Sequence, residues 1–316
     1  MIEKFPNLNK SLSTKKMKFN LKSKKLLTTA LFITSGLTIL SHSNPVKAAC
    51  PDPSSVTSPN GRGDATSFIA LSGGSCYGTP EEYGVTIYKM GLCSSNPAPS
   101  SAGSAPDTSS CSFNFEKDDG VGEDASFASG GEVDLSAEYS SRPDVGEYEF
   151  AYIEIKNSFD IKAKYGPLGD AANTTYFTNG TLGEAGTVTG SSTTPTASDG
   201  YATTTAPLNT FYGDSGEDIC SATATESVTG GTIRAYLLDS SGTLIADDSS
   251  ATSCSGVTKL LGIMQLDTKV NITASTTSVK TTFKVTNNGT TILYGDSADN
   301  ILFDSGPFSV TFETSE

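Results

Sequence analysis

The stretch at residues 143–165, PDVGEYEFAYIEIKNSFDIKAKY, limits what this chain can fold into more than any other part of the sequence. Every second residue from Ala151 to Ile155 is apolar, and the same alternation runs from Phe159 to Tyr165. Charged and polar residues fill the positions between them. Because successive side chains of a strand point to opposite faces, this period of two predicts a half-buried strand or hairpin of an antiparallel sheet.

Three aromatic residues near the start of this stretch do not fit the simple alternation. Tyr148, Phe150 and Tyr152 stand on the parity that carries the charged residues. One interpretation is an exposed aromatic strip that binds a saccharide or a partner subunit. The other is that both faces are covered here, by a second sheet and by the loop at residues 95–110 or the segment after Tyr165. We favour the covered interpretation because large exposed apolar patches are uncommon on soluble monomers.

The rest of the chain repeats short alternating runs and shows little helical periodicity outside the N-terminus. Strands are predicted at residues 82–93, 111–116 and 131–139, and only KLLGIMQL at residues 259–266 suggests one or two helical turns. Sheets that each bury one face pack as layers, so the predicted fold is all-β, an antiparallel Ig-like β-sandwich with long loops. Two β lobes split near residues 166–206 are the alternative.

The N-terminus has the features of a signal peptide. Lysines precede an apolar run at residues 26–40, and Val46 and Ala48 occupy the small-residue positions of a cleavage site. We expect residues 1–48 to be removed, with Met17 as an alternative true start. A retained membrane anchor is the other interpretation, but the apolar run is at the short end for a membrane span.

These features predict three parts of the chain. The signal peptide at residues 1–48 is followed by a loop-rich segment at residues 49–78. The sandwich occupies residues 79–316 and includes a Ser/Thr/Gly-rich excursion at about residues 166–230.

Removal of the leader makes the chain strongly acidic. Nine of the 21 Lys and Arg residues lie in residues 1–48, but only one of the 35 acidic residues does. The remaining chain therefore has 12 basic and 34 acidic residues and a formal net charge of −22. A surface of this charge repels phosphate backbones and anionic lipids, so we expect no nucleic-acid partner and no membrane partner after cleavage.

The residue types left in the chain exclude several kinds of catalysis. The one histidine, His42, lies in the leader, and there is no tryptophan. Histidine-based triads, histidine-containing zinc sites and imidazole acid/base catalysis are therefore excluded. A glycosidase needs two carboxylates in a cleft, but a chain this acidic provides such pairs by chance. We expect no enzyme and assign no catalytic residues.

An even number of cysteines in an exported protein predicts disulfides. Fifteen pairings of six cysteines are possible, and we prefer those between sequence neighbours. Loops of these lengths would each contribute about 3–4 kcal/mol by the chain-entropy estimate. The preferred pairs are Cys50–Cys76, Cys93–Cys111 and Cys220–Cys254.

An acidic loop at residues 116–124, EKDDGVGED, is a weak calcium candidate. Carboxylate oxygens on a flexible glycine-containing loop suit Ca²⁺. The loop lacks the alternating D-x-D-x-D-G spacing, so solvated loop charge is the default interpretation. No other cofactor is predicted. The candidate ligands are Glu116, Asp118, Asp119, Glu123 and Asp124.

Several short motifs resemble those of uncharacterised secreted β-sandwich proteins of marine bacteria. They are the segment YGVTIYK at residues 83–89 leading to Leu92–Cys93, and the Pro-Phe-x-Val-x-Phe ending at residues 307–312. A third motif, Pro143-x-x-Gly146-x-Tyr148, is also similar to the strand entry of Ig-like and prealbumin-like modules. The resemblance implies a sandwich fold and an exported location, and it implies no activity.

Together these observations predict an exported, non-enzymatic structural or adhesive protein of the extracellular space or bacterial cell surface, reached through the periplasm. A filament or surface-layer subunit is the form we consider first, with self-association or other surface proteins as partners. The alternative is a secreted β-sandwich module that binds calcium or carbohydrate, for which glycans would be the partners.

Overall fold

The structure, a computed structural model, consists of β-strands joined by turns and loops. It describes residues 49–56, 75–117, 119–128, 141–190, 194–211, 219–228, 230–287, 289–294, 301–306 and 309–315. The predicted leader, the predicted strand at residues 131–139 and Asp118 lie outside these residues. The described part has sixteen strands, three short 3-10 turns and no α-helix.

All strand pairings between the named strands are antiparallel. The strands are β1 (Ser75–Gly78), β2 (Glu82–Cys93), β3 (Cys111–Glu116), β4 (Glu123–Ala128), β5 (Gly146–Lys162), β6 (Lys164–Tyr165), β7 (Thr175–Thr178), β8 (Ala185–Val188), β9 (Thr204–Pro207), β10 (Thr223–Val228), β11 (Gly231–Leu238), β12 (Lys259–Ile272), β13 (Ser278–Lys284), β14 (Thr290–Tyr294), β15 (Ile301–Ser305) and β16 (Ser309–Ser315).

The 17-residue strand β5 organises the largest sheet. It pairs with β12 along one edge and with β2 along the other, and β9 adds to it at residues 158–161. The eight-stranded sheet has the order β10-β11-β12-β5-β2-β3, with β4 beside β2 and β9 beside β5. The smaller sheets are β1-β14-β15, β6-β7-β8 and β13-β16.

One face of the large sheet, here called the inner face, carries the apolar half of the alternation in β5. The register places Tyr83, Val85 and Ile87 of β2 on the same face. The predicted burial is confirmed at every position. The buried residues are Ala151, Ile153, Ile155, Phe159, Ile161, Ala163 and Tyr165.

A second layer covers this inner face. Cys76, Ile292 and Phe303 from the sheet β1-β14-β15 belong to the same buried cluster as Ile155, Phe159 and Ile161 of the inner face. The Tyr83 hydroxyl lies 3.1 Å from the Ser305 hydroxyl and so joins the two layers. The predicted all-β, antiparallel architecture is confirmed, and the layering is consistent with a β-sandwich. The more specific Ig-like assignment stays a prediction.

The predicted helical turns at residues 259–266 are wrong. These residues belong to β12, which pairs with β11 on one edge and with β5 on the other. Leu260, Leu261, Ile263 and Met264 are all buried because both faces of this strand are covered. A strand buried on both faces loses its alternation and resembles a buried helix in sequence.

The excursion at residues 166–230 contains regular structure that its composition did not predict. β7, β8 and β10 lie in it, and β9 returns to pair with β5. The ring of Tyr201 packs edge-on against Phe177, with ring centroids 5.7 Å apart. In the segment predicted to be loop-rich, β1 begins at Ser75 and pairs with β14.

Gly91 allows β3 to lie close to β2. A Cβ atom added here would lie 2.6 Å from the Ser112 carbonyl oxygen and 2.8 Å from the Phe113 Cα. Both are backbone atoms, so the strands would have to separate. We expect Gly91→Ala to lower the free energy of unfolding by about 1–3 kcal/mol, the usual cost of overpacking. Urea denaturation of the oxidised protein measures this change.

Gly262→Ala in β12 is the matched control. The added Cβ would meet the Ile153 side chain at 3.0 Å, beside a small apolar cavity that Met90, Ile233 and Met264 help to line. A side chain next to a cavity can shift where backbone cannot, so we expect this variant to lose less stability. Equal losses in the two variants would contradict the argument from backbone contact.

Candidate functional site

The acidic residues predicted as calcium ligands are engaged separately. Glu116 ends β3 and forms an ion pair with Lys89 at 3.1 Å. One Asp119 oxygen accepts hydrogen bonds from the amides of Val121 and Gly122, each at 2.8 Å. These bonds, that from Gly122 first, lower the pKa of the Asp119 carboxyl. Asp119 thus closes a tight turn.

The other end of this loop is part of the large sheet. Glu123 and Asp124 begin β4, and Asp124 accepts a hydrogen bond from the Thr86 hydroxyl at 2.7 Å. Asp118 lies outside the described residues. Within the described ranges, no group of three or more His, Cys, Asp and Glu side chains is placed to hold a metal ion. Calcium binding by this loop stays a prediction.

The three aromatic residues proposed as a strip do not form a common exposed surface. Tyr148 is 5% exposed, and its hydroxyl donates to the Asp144 carbonyl at 2.8 Å. Tyr152 is 2% exposed, whereas Phe150 is half-buried against the main core. The covered interpretation therefore describes Tyr148 and Tyr152, and the question becomes what covers them.

Residues 94–110 form a cover over the face of the large sheet opposite the inner face, here called the outer face. The Cys93–Cys111 disulfide closes the base of this cover between β2 and β3. At its far end, the Gly103 amide donates to the Leu244 carbonyl at 2.8 Å, and Leu244 bridges to the end of β11. Since β5 and β12 lie between β2 and β11, the cover crosses both strands.

A buried ion pair lies on the outer face. Lys259 Nζ of β12 is 2.6 Å from Glu154 Oε1 of β5, and their side chains are 15% and 7% exposed. The Tyr152 hydroxyl donates to Glu154 Oε2 at 2.9 Å. The Lys259 ammonium also lies 5.0 Å from the centre of the Tyr88 ring. Both charges thus have an opposite charge or an aromatic face beside them, as buried charges require.

This pair continues into a strip of alternating charge across four strands, here called the ionic strip. The register places Lys89 of β2 opposite Glu116 of β3 on one side and opposite Glu154 of β5 on the other. The Phe113 ring lies 5.7 Å from Lys89 Nζ and packs edge-on against Tyr152 at 5.4 Å. The strip consists of Glu116, Lys89, Glu154 and Lys259.

The sequence reading missed the ionic strip. It correctly found the alternation that puts Glu154 and Lys156 on one face, and it assigned that face to water. Lys156 is exposed, but Glu154 is buried, with Tyr152 and Lys259 in contact with its carboxylate. The sequence signal for this burial was that Glu154 follows aromatic residues at i−2 and i−4, Tyr152 and Phe150.

A second charged cluster joins the excursion to the large sheet. Glu81 forms an ion pair with Lys164 at 2.6 Å and accepts a hydrogen bond from the Tyr201 hydroxyl at 2.8 Å. Partial burial opposes the ionised form of Glu81, but these contacts prevail and lower the pKa of its carboxyl. Burial first, and then the Glu81 contact, raise the pKa of the Tyr201 phenol. Lys162 lies 5.1 Å from the Tyr201 ring centre.

In contrast, Asp304 in β15 has a raised pKa. Burial raises it, and the hydrogen bond from the Ser305 amide at 2.7 Å only partly offsets that effect. The fold thus disfavours ionisation of the Asp304 carboxyl relative to the unfolded chain.

The ionic strip and the cluster around Glu81 hold neighbouring segments of the chain together. In the ionic strip and around Glu81, oppositely charged groups from different strands contact one another at 2.6–3.1 Å. The ionic strip lies across neighbouring strands of the large sheet, and the Glu81–Tyr201 contact joins the excursion to the residue before β2. No helix in the described ranges is long and apolar enough to cross a membrane.

Comparisons with protein-family models, with curated proteins and with solved structures found no match for this chain.

The buried pair Glu154–Lys259 predicts an asymmetric response to substitution. Lys259→Met leaves the Glu154 carboxylate buried without its partner, so we expect a loss of about 3–5 kcal/mol in the free energy of unfolding. The double variant Glu154→Met/Lys259→Met removes both charges, and we expect it to be more stable than the single variant. Urea denaturation at neutral pH measures both.

Lys269→Met is the matched control for this experiment. Its partner Glu149 lies at 2.7 Å, but both side chains are about half exposed, 54% and 44%. Water solvates both charges, so we expect a change too small to resolve. A loss as large as that of Lys259→Met would show that burial is not the cause.

Asp304→Asn should stabilise the protein at neutral pH. Because the folded-state pKa is raised, ionisation of Asp304 costs folding free energy once the pH rises above the pKa of the unfolded chain. The amide keeps an acceptor for the Ser305 N–H and cannot ionise. We expect a higher Tm than wild type at pH 7 and no gain at pH values below the unfolded-state pKa of aspartate, about 3.9.

Asp119→Asn provides the opposite sign, since hydrogen bonds lower the pKa of Asp119 and favour its charged form. Its effect at pH 7 should be destabilising and should fade in acid. Thermal unfolding of both variants from pH 3 to pH 7 makes the comparison. A gain for Asp304→Asn that persists unchanged in acid would contradict the prediction.

Proposed function

We propose that this chain is an exported, non-enzymatic structural or adhesive protein of the extracellular space or cell surface, and a subunit of a filament or surface layer. The proposal is supported chiefly by how the disulfides are placed. All three preferred pairings are present, and each joins residues 18 to 34 positions apart in sequence. Disulfides of this kind persist in oxidising compartments, so they are consistent with a secreted or extracellular protein.

Each disulfide secures a long connection to the sandwich. Cys50–Cys76 joins the segment at residues 49–56 to β1, and Cys93–Cys111 closes the base of the cover. Cys220–Cys254 joins the segment that precedes β10 to the loop that precedes β12. By the chain-entropy estimate each contributes about 3–4 kcal/mol. Disulfides at these connections help a protein outside the cell to resist unfolding.

The charged groups also support a structural role for the protein. The ionic strip and the Glu81 cluster use lysines, tyrosines and carboxylates to hold strands together. The net charge of −22 predicted for the processed chain keeps it soluble after export. Dense acidic charge also means that close packing of copies requires counter-ions, so assembly should depend on salt or divalent cations.

Immunogold electron microscopy of intact producing cells tests the proposed location. We expect gold label on the cell surface or on extracellular material attached to it. Negative-stain imaging of the protein purified from those cells, with and without calcium, shows whether it forms filaments or sheets. A protein found only as a periplasmic monomer, with no ordered assembly in either condition, would overturn the proposal.

The alternative, a secreted module that binds calcium or carbohydrate, is a separate prediction. Isothermal calorimetry with calcium chloride and then with a panel of glycans tests it. Saturable heat with either ligand would favour the binding module, and its absence from both titrations would remove it.

A further inference from the structure

The first described residues form a separate element docked on the sandwich, here called the N-terminal segment (residues 49–56). Ala49 makes a parallel bridge with Tyr77 of β1, and the Cys50 amide donates to the Tyr77 carbonyl at 3.0 Å. A 3-10 turn follows at Pro53–Ser55. The side chain of Val56 is fully buried in the main core.

The receiving surface binds the backbone of this segment. The Tyr165 hydroxyl donates to the Pro51 carbonyl at 2.9 Å. The Gly169 amide lies 3.0 Å from the Val56 carbonyl oxygen and 3.2 Å from that of Pro53, and donates to both. These contacts and the Tyr77 edge of β1 form a groove that binds the backbone of a short peptide and buries its apolar residue Val56, here called the receiving groove.

Gly169 is required for this fit. A Cβ atom added at this position would lie 2.1 Å from the Ser54 carbonyl oxygen, far inside contact distance. Gly169→Ala therefore excludes the segment from the receiving groove in its present position.

Two covalent links join the segment to β1. One is the Cys50–Cys76 disulfide, and the other is the connection at residues 57–74. A connection of 18 residues can span at most about 60 Å. A reach of this length allows the segment to enter the receiving groove of a second copy, where each contact that holds it would be the same. Exchange of an identical element is a low-cost route to association because it replaces each contact by the same contact.

We propose that the receiving groove of one copy accepts the N-terminal segment of a second copy, so that Cys50 of one molecule bonds to Cys76 of the next. This inference deepens the proposed function and rests on it for its biological setting. The donating segment and the receiving groove are different surfaces, so the contact is heterologous and can continue into an open chain. Molecules joined in this way form a disulfide-linked filament.

The covalent step is a thiol oxidation. The sulfur–sulfur bond forms as the Cys50 and Cys76 thiols lose two protons and two electrons to a small-molecule disulfide, which is reduced to two thiols. Oxidised glutathione serves as that disulfide in the test below.

Two complementary variants of the exported protein test the proposal. Cys50→Ser keeps the receiving groove and Cys76, whereas Cys76→Ser keeps the donor cysteine Cys50. The two are given tags of different mass, mixed and oxidised with a glutathione redox buffer. We expect a heterodimer on non-reducing gels that reduction abolishes, with Cys50 linked to Cys76 in the peptide map. Monomers alone, or dimers linked only between like cysteines, would overturn the proposal.

Placing Gly169→Ala in one partner at a time makes the test specific. In the Cys50→Ser partner, which supplies the receiving groove, it should reduce the heterodimer at least tenfold. In the Cys76→Ser partner, which supplies only the segment, it should not lower the yield, because it displaces that segment from its own groove and leaves it free to enter the other copy. Equal loss from both placements would mean that the substitution acts through misfolding or that the receiving groove is not used, and would count against the proposal. Ala171→Ser, an exposed neighbour of the receiving groove, is the control substitution.

This result is independent of the proposed location. Heterodimers without surface label would support exchange of the N-terminal segment and overturn the proposed surface location. Surface label without heterodimers would do the reverse.

Discussion

The structure depends on the hydrogen bonding of one strand. β5 has 17 residues and pairs with β2 on one edge and with β12 and then β9 on the other. An unpaired backbone group in the interior costs free energy, so a strand buried on both edges needs partners over its whole length. The strand therefore draws together segments from positions 82–93, 204–207 and 259–272, and its register decides which side chains share a face.

Residues on both faces of β5 are also buried, and this burial creates a need for charge partners. The inner face is apolar and packs on the second layer, but the outer face carries Glu154. A buried carboxylate is stable only with charge and hydrogen-bond partners, which Lys259 and Tyr152 provide. The Cys93–Cys111 disulfide closes the base of the cover, and the ionic strip neutralises the charge of Glu154 on the outer face.

The same logic extends to the elements at the edge of the sandwich. The excursion is held by Tyr201, Glu81 and Lys164, and the N-terminal segment by Cys50, Tyr165 and Gly169. In each case a short element with little apolar surface of its own is attached by a few strong contacts. For the N-terminal segment those contacts are mostly to its backbone and its cysteine. A groove that recognises an extended backbone can accept the same peptide from its own chain or from another.

The sequence alone determined the elements whose signals are local. Alternation in β5 gave its buried residues because side-chain direction in a strand has a period of two, and the even cysteine count gave the disulfides through the closeness of sequence neighbours. Other features depended on which segments meet in three dimensions. Residues 259–266 lost their strand signal because both faces of β12 are buried, and Glu154 is buried in contact with Lys259, which lies 105 positions away in sequence. The receiving groove likewise joins Tyr77, Tyr165 and Gly169, which no local pattern relates. Tertiary structure decided these features because burial is a property of the neighbours that a residue acquires on folding.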